Sequence, residues 1–201
     1  MIRKIILWTD THIGAPHQLI KNTEEIEKDY YQFKDNPEVL VICTGDIIDN
    51  KNVPKHDADM YAFMRDSLKK LMQKYYIFGN HECEPPETYY EQEEGVMWMH
   101  YHVYDWCDSF TNSCEKVIKW ENKKEGLKRW KYFGYRFKHL VIKRGKQWKP
   151  SKETIADIVA FAKMHNCHTI AFGHTHKLYD QVHDGVRIIN GGRGRHVYTL
   201  D

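Results

Sequence analysis

The sequence has no apolar run approaching the ~20 residues a membrane-spanning helix needs, and no Pro/Gly/Ser-rich tract that would separate two domains. The first absence excludes a spanning helix within these 201 residues. The second favours one domain. The apolar run Ile5-Ile6-Leu7-Trp8 near the N-terminus is too short for a signal sequence. Cysteine is sparse. Its five copies (Cys43, Cys83, Cys107, Cys114, Cys167) are an odd number with no tight repeated spacing, unlike a disulfide framework. They are expected to be reduced thiols in a cytoplasmic protein. No internal repeat or low-complexity tract is present. Basic residues are missing from one long stretch: Glu82 to Glu115 carries nine acidic side chains and no Lys or Arg. The balance is restored at once, because Lys116 to Lys152 holds fourteen Lys/Arg and two Glu. A net charge of +2 conceals this asymmetry.

What is present is a recurring unit of buried strand, glycine and polar cluster. Residues 2–8 run into Asp10-Thr11-His12, Val39 to Cys43 into Gly45-Asp46, and Tyr75 to Phe78 into Gly79-Asn80-His81-Glu82. Near the C-terminus the apolar run 168–172 ends in Gly173-His174-Thr175-His176. Residues two apart in an extended segment point the same way, so both imidazoles can face one point beyond the strand. Between these runs, spacings of three and four predict helices. Leu19, Thr23, Ile26, Tyr30 and Phe33 mark one. Met60, Phe63, Met64, Leu68, Leu71 and Tyr75 mark the buried stripe of another, over roughly 57–74. Ser151 is the expected N-cap of a third, with Ile155, Ile158, Val159 and Ala162 buried. A helix is also expected between Tyr89 and Phe110, with Trp98, Tyr101 and Trp106 as packing residues, and a hairpin over 130–142. Short antiparallel strands are expected at 178–183, 186–190 and 196–200, the first two joined by Asp184-Gly185. Buried runs alternating with helices imply a largely parallel sheet covered by helices, with its ligand site at the carboxyl ends of the strands.

The polar residues at those ends are Asp10, His12, Asp46, Asn80, His81, His174 and His176. Carboxylate, imidazole and amide together suit Mn²⁺, Fe²⁺, Zn²⁺ or Ni²⁺. Seven donors exceed one tetrahedral site. Two ions ~3.5–4 Å apart, bridged by a carboxylate, would use them all and would activate a water for in-line attack on phosphorus.

The motifs D-x-H (10–12), G-D-x-x-D (45–49), G-N-H-E (79–82) and G-H-x-H (173–176), in that order, resemble the calcineurin-like metallophosphoesterase superfamily. The resemblance spans residues 10–176. It implies an α+β fold of α/β/β/α type, two mixed sheets packed as a sandwich between helices. It also implies one domain over 1–201, with a variable cap-like insertion at about 83–130. Roles follow position by position. Asp10, His12 and His176 match ligands of the first metal, and Asp46 matches the carboxylate bridging both ions. Asn80 and His174 match ligands of the second metal. His81 matches the histidine that contacts the phosphate and can protonate the leaving oxygen. Asp49 matches a residue that orients loops or ligands, and capping of the next helix is an equal reading for Asp49 and Glu82. Asn50 stands where the protein Ser/Thr phosphatase branch has arginine, which argues against a phosphoprotein phosphatase. Mn²⁺ is the first expectation for the metal.

One histidine of the pattern is expected after a strand between the third motif and the last. The corresponding segment reads Leu140 to Lys146, with Arg144 and Lys146 in place of histidine. Arginine stays protonated and cannot ligate a cation, although its guanidinium could hold a substrate phosphate. Other candidates are His139, His100 and His102, each with an ordinary structural reading beside it. The basic block 116–152, with Trp120, Trp130, Tyr132 and Trp148, suits a polyanion such as nucleic acid or a nucleotide. It could equally pair with the acidic stretch or face water. The expected function is a metal-dependent phosphoesterase, with phosphodiesters slightly favoured over monoesters and pyrophosphates. A catalytically weakened scaffold that binds polyphosphate or a protein partner is the alternative, motivated by Arg144. Hydrolysis of a lipid-linked pyrophosphate would need an apolar cap, which residues 96–110 could provide, although nothing there is specific to it.

Overall fold

The computed structural model describes residues 1–82, 90–101 and 150–200. The first sheet is built from β1 (Lys4–Thr9), β2 (Val39–Thr44), β3 (Tyr76–Ile77) and β9 (Gly194–Thr199), in the order β3-β2-β1-β9. β1, β2 and β3 are parallel and β9 runs antiparallel to β1. The second sheet takes the order β4-β5-β6-β8-β7. Its strands are β4 (Tyr90–Glu93), β5 (Val96–Met99), β6 (Thr169–Phe172), β7 (Leu178–His183) and β8 (Val186–Gly191). β5, β6 and β8 are parallel, while β4 and β7 close the edges antiparallel.

Three apolar clusters define the layers. Ile5, Leu7, Leu40 and Ile42 of the first sheet meet Val96, Trp98, Ala171 and Ile189 of the second, so the sheets pack face to face. The outer face of the first sheet, with Ile6, Trp8, Val41 and Cys43, packs on Ile26 of α1 (Glu24–Phe33) and on Leu68 and Met72 of α2 (Ala58–Met72). The outer face of the second sheet packs on Ile158, Val159, Phe161 and Ala162 of α3 (Lys152–Met164). The order is helix, sheet, sheet, helix. Strands buried on both faces read as unbroken apolar runs, which is why β1, β2 and β6 were plain in the sequence. The Ser151 hydroxyl accepts from Thr154 N, as its N-cap position predicts.

Several expectations need correction. The two mixed sheets packed between helices are the fold the resemblance implies, whereas element alternation alone pointed to a largely parallel sheet. β9 pairs antiparallel with β1, in the other sheet from β7 and β8. Residues 90–99 are not helical: they form the β4–β5 hairpin, with Glu94 and Gly95 at positive φ in the turn. Trp98 and Tyr101 are buried as expected, but in the sandwich rather than in a helical cap. The stretch 96–99 is therefore sheet interior and offers no apolar lid. On α2 the buried side chains are Arg65, Leu68 and Met72, whereas Met60 and Phe63 face solvent. The 130–142 hairpin, Trp106 and the basic block up to Lys149 lie outside the described residues.

Candidate metal centre

Parallel strands of both sheets deliver their carboxyl ends to one place. Asp10 and His12 follow β1, Asp46 follows β2, Asn80 and His81 follow β3, His100 follows β5, and His174 and His176 follow β6. The loops beyond β1 and β2 continue the ladder, with Asp10 N donating to Gly45 O (3.1 Å) and His12 N to Asp46 O (3.0 Å). Asp10, His12, Asp46, His174 and His176 all have positive φ, between 49° and 82°. Non-glycine residues held there cost on the order of 1–3 kcal/mol each and cluster where function over-determines the backbone.

Two glycines let the strand ends approach. A Cβ on Gly79 would strike the Asp46 carboxylate and backbone nitrogen, and one on Gly173 would strike Thr9 Oγ1 and Asp10 Oδ2. Glu82 fixes the spacing. It is fully buried and accepts from Asp46 N (3.0 Å), Ile47 N (2.7 Å), Gly79 N (2.6 Å) and the Tyr76 hydroxyl (3.1 Å). Arg65 donates to the Glu82 carbonyl at 2.8 Å. The glutamate of the third motif thus ties the β2 and β3 loops together.

The donors fall into groups. In the first, Asp10 Oδ1 and His12 Nε2 each lie 3.2 Å from His176 Nε2. In the second, His100 Nε2 is 3.4 Å from Asp46 Oδ2 and 3.2 Å from Asn80 Oδ1, and the His100 and His174 rings are 5.0 Å apart. Asp10–His12–His176 and Asp46–His100–His174 each gather three ligand atoms within 4.8 Å of one another. Close, mixed carboxylate and imidazole sets of this kind fit borderline divalent ions. A third set joins His12 and His81 to Asp49, whose oxygens lie 3.1 Å from His12 Nδ1 and 3.0 Å from His81 Nδ1. Engaging Nδ1 of His12 leaves its Nε2 lone pair facing His176 and Asp10. Asp49 thus lies against the Nδ1 atoms of both His12 and His81.

Charge coupling across the site is strong. Burial opposes ionisation of Asp46, but His100, His81 and His12 outweigh it and hold the carboxyl well below the usual range. Burial likewise opposes a proton on His100, yet Asp46, aided by Asp10 and the Thr44 carbonyl, raises the imidazole to about 9. Asp49 is depressed despite its burial by hydrogen bonds from His12, His81 and Asn52. His81 is raised despite burial by Asp49 and Asp46. Burial and the neighbouring Asp46 push Glu82 up to about 7.

All six proposed metal-binding residues are gathered here, together with His81 and Asp49. Arg144, expected as a substrate-binding group, lies outside the described residues, as do His102 and His139. The histidine sought near Arg144 has a counterpart in His100, some forty residues earlier in the chain. The signal available was the run Val96 to Met99 directly before it, whose strand character the acidic surroundings obscured. His100 is fully buried, and its Nδ1 lies 2.6 Å from the Thr44 carbonyl.

A two-sheet sandwich with Asp/His sets at its converging strand ends defines a metallophosphoesterase-type protein. The sequence profile of the calcineurin-like phosphoesterases matches residues 3–178, and the chain belongs to that family. No curated protein sequence matches it significantly. Among solved structures, a cold-active protein tyrosine phosphatase superposes with a TM-score of 0.51 at 15% identity, covering 98% of this chain and 73% of that one. A conserved uncharacterised protein from Streptococcus pneumoniae, described as a predicted phosphoesterase, gives 0.46 at 13% identity over 95% and 72% of the two chains. Vacuolar protein sorting 29 from Cryptosporidium parvum gives 0.43 at 15% identity over 95% and 74%. At such identities the likeness is one of fold.

Proposed function

We propose that this chain hydrolyses phosphate esters with two divalent cations, held by Asp10, His12 and His176 and by Asn80, His100 and His174, with Asp46 shared. The observation that supports it most is the pair of three-donor sets at adjoining strand ends. Ions bound there would polarise phosphoryl oxygens and make a water acidic enough to attack phosphorus in line. The protein's own contribution is orientation and proton handling. Asp49 turns His12 toward the first set. His81, with Asp49 and Asp46 favouring its protonated form, is the group that contacts the phosphate and gives its proton to the departing oxygen.

Phosphodiesters, in a nucleotide or nucleic acid, are the favoured substrates, on the strength of the basic, tryptophan-bearing stretch 116–152. Mn²⁺ is the favoured ion. Cys43 and Cys167, both free and buried, agree with a cytoplasmic setting. Among the described residues no helix is long and apolar enough to cross a membrane. The scaffold alternative drew on Arg144 standing in a histidine's place, and His100 beside Asp46 and His174 weakens that motive. Aryl phosphodiester hydrolysis that requires added Mn²⁺ is the expected result. Asp46→Asn should lower kcat/KM by at least about a hundredfold. A variant with the full rate would sink the mechanism.

A further inference from the structure

Arg193 belongs to none of the motifs, yet it stands at the edge of the first donor set. It lies in the bend after β8, between Gly192 (φ 66°) and Gly194 (φ 87°). Its Nε donates to the carbonyl of Asp10 at 3.3 Å and its Nη2 to the carbonyl of His17 at 2.8 Å. The His17 ring lies 4.9 Å from the His12 ring, and its nitrogens have no hydrogen-bond partner among the described residues. No carboxylate pairs with Arg193 among the described residues, and its Nη1 edge is unused there. The bend is tied to the ligand turn. Asn190, fully buried, donates from Nδ2 to Thr175 Oγ1 at 2.6 Å and accepts from Gly192 N at 3.0 Å. A guanidinium locked between two backbone carbonyls, beside Asp10 and His12 and with no paired carboxylate among the described residues, is pre-organised for an anionic oxygen.

We infer that Arg193, with His17 beside it, binds a non-bridging oxygen of the substrate's phosphate on the side of the first donor set. This rests on the phosphoesterase reading above. It makes Arg193 a substrate-binding residue, one the motifs do not assign. Its contact exists in the bound ester and persists through attack, so it acts mainly on binding.

The test uses the Mn²⁺-loaded full chain, an aryl phosphodiester as substrate and inorganic phosphate as competitive inhibitor. Arg193→Gln should raise KM and the phosphate Ki together by about tenfold to a hundredfold, the worth of one charge-assisted hydrogen bond. kcat should change by less than about threefold, and metal per chain should equal that of the unmutated protein. Arg193→Lys, which keeps charge but loses the fork, should fall between. Unchanged KM and Ki in Arg193→Gln would overturn the inference. So would a fall in metal content, which would make Arg193 a support for Asp10 and no more. An unmutated, metal-loaded chain that neither hydrolyses the ester nor binds phosphate would instead overturn the phosphoesterase reading itself.

Discussion

His100 shows at the scale of one residue how the site is assembled. Its position directly after β5 lets the second sheet contribute beside His174, and its proton balance is set by Asp46. An imidazole raised from 6.5 to about 9 is protonated in the metal-free protein at neutral pH. Because the folded value exceeds the unfolded one, this group's stabilisation is fully present below pH 6.5 and is lost as pH rises through 9. Glu82, raised from 4.5 to about 7, acts in the same direction over a lower range. A cation held by His100 would need its neutral imidazole, so metal affinity is expected to rise over the interval in which metal-free stability falls. Thermal unfolding in excess chelator should therefore show a lower Tm at pH 9 than at pH 6.5. The gain in Tm on adding Mn²⁺ should be larger at pH 9. A chelated protein equally stable at both values would contradict the coupling of His100 to Asp46. The sequence offered His100 only as one of three substitutes for a missing ligand. Its selection depends on which strand ends beside β6, and that is a matter of sheet order that no local pattern encodes.

Elements carry the precision of the site through close approach. Gly79 and Gly173 admit neighbouring carboxylates where a methyl group would collide, and Glu82 gathers backbone N–H groups from two loops. Removing that carboxylate leaves several buried donors unpaired at about 1–3 kcal/mol each. Glu82→Ala should destabilise by about 3–5 kcal/mol in urea unfolding. It should also weaken metal binding, because Asp46 loses its support. A loss below about 1 kcal/mol would remove Glu82 from this role. Gly173→Ala, which forces overpacking against Thr9 and Asp10, should cost about 1–3 kcal/mol. Strands buried on both faces were legible because nothing interrupts their apolar runs, and Asp184-Gly185 announced its hairpin. Glu94 and Gly95 have nearly the same positive φ values as Asp184 and Gly185, but glutamate is a poor turn signal, and the stretch from Tyr89 was expected to be helical. β4 and β5 were lost for that reason. The exposure of Met60 and Phe63 on α2 was equally hidden, since a helical spacing alone does not say how wide a stripe the sheet covers.

For the whole molecule, the sandwich explains why the motifs are so far apart in the chain. Two sheets packed face to face bring β1, β2 and β3 from one side and β5 and β6 from the other to a common rim. One sheet alone would supply only part of either donor set: Asp46 and Asn80 come from the first, His100 and His174 from the second. Metal occupancy is accordingly a property of the assembled sandwich. It is also the quantity that separates a two-ion phosphoesterase from a scaffold. The most direct measurement is elemental analysis of the purified chain after Mn²⁺ loading and removal of free ion, made alongside His100→Asn. Two ions per chain, falling to one in His100→Asn, is the predicted result. Fewer than one ion in the unmutated chain, or two retained without His100, would contradict the account.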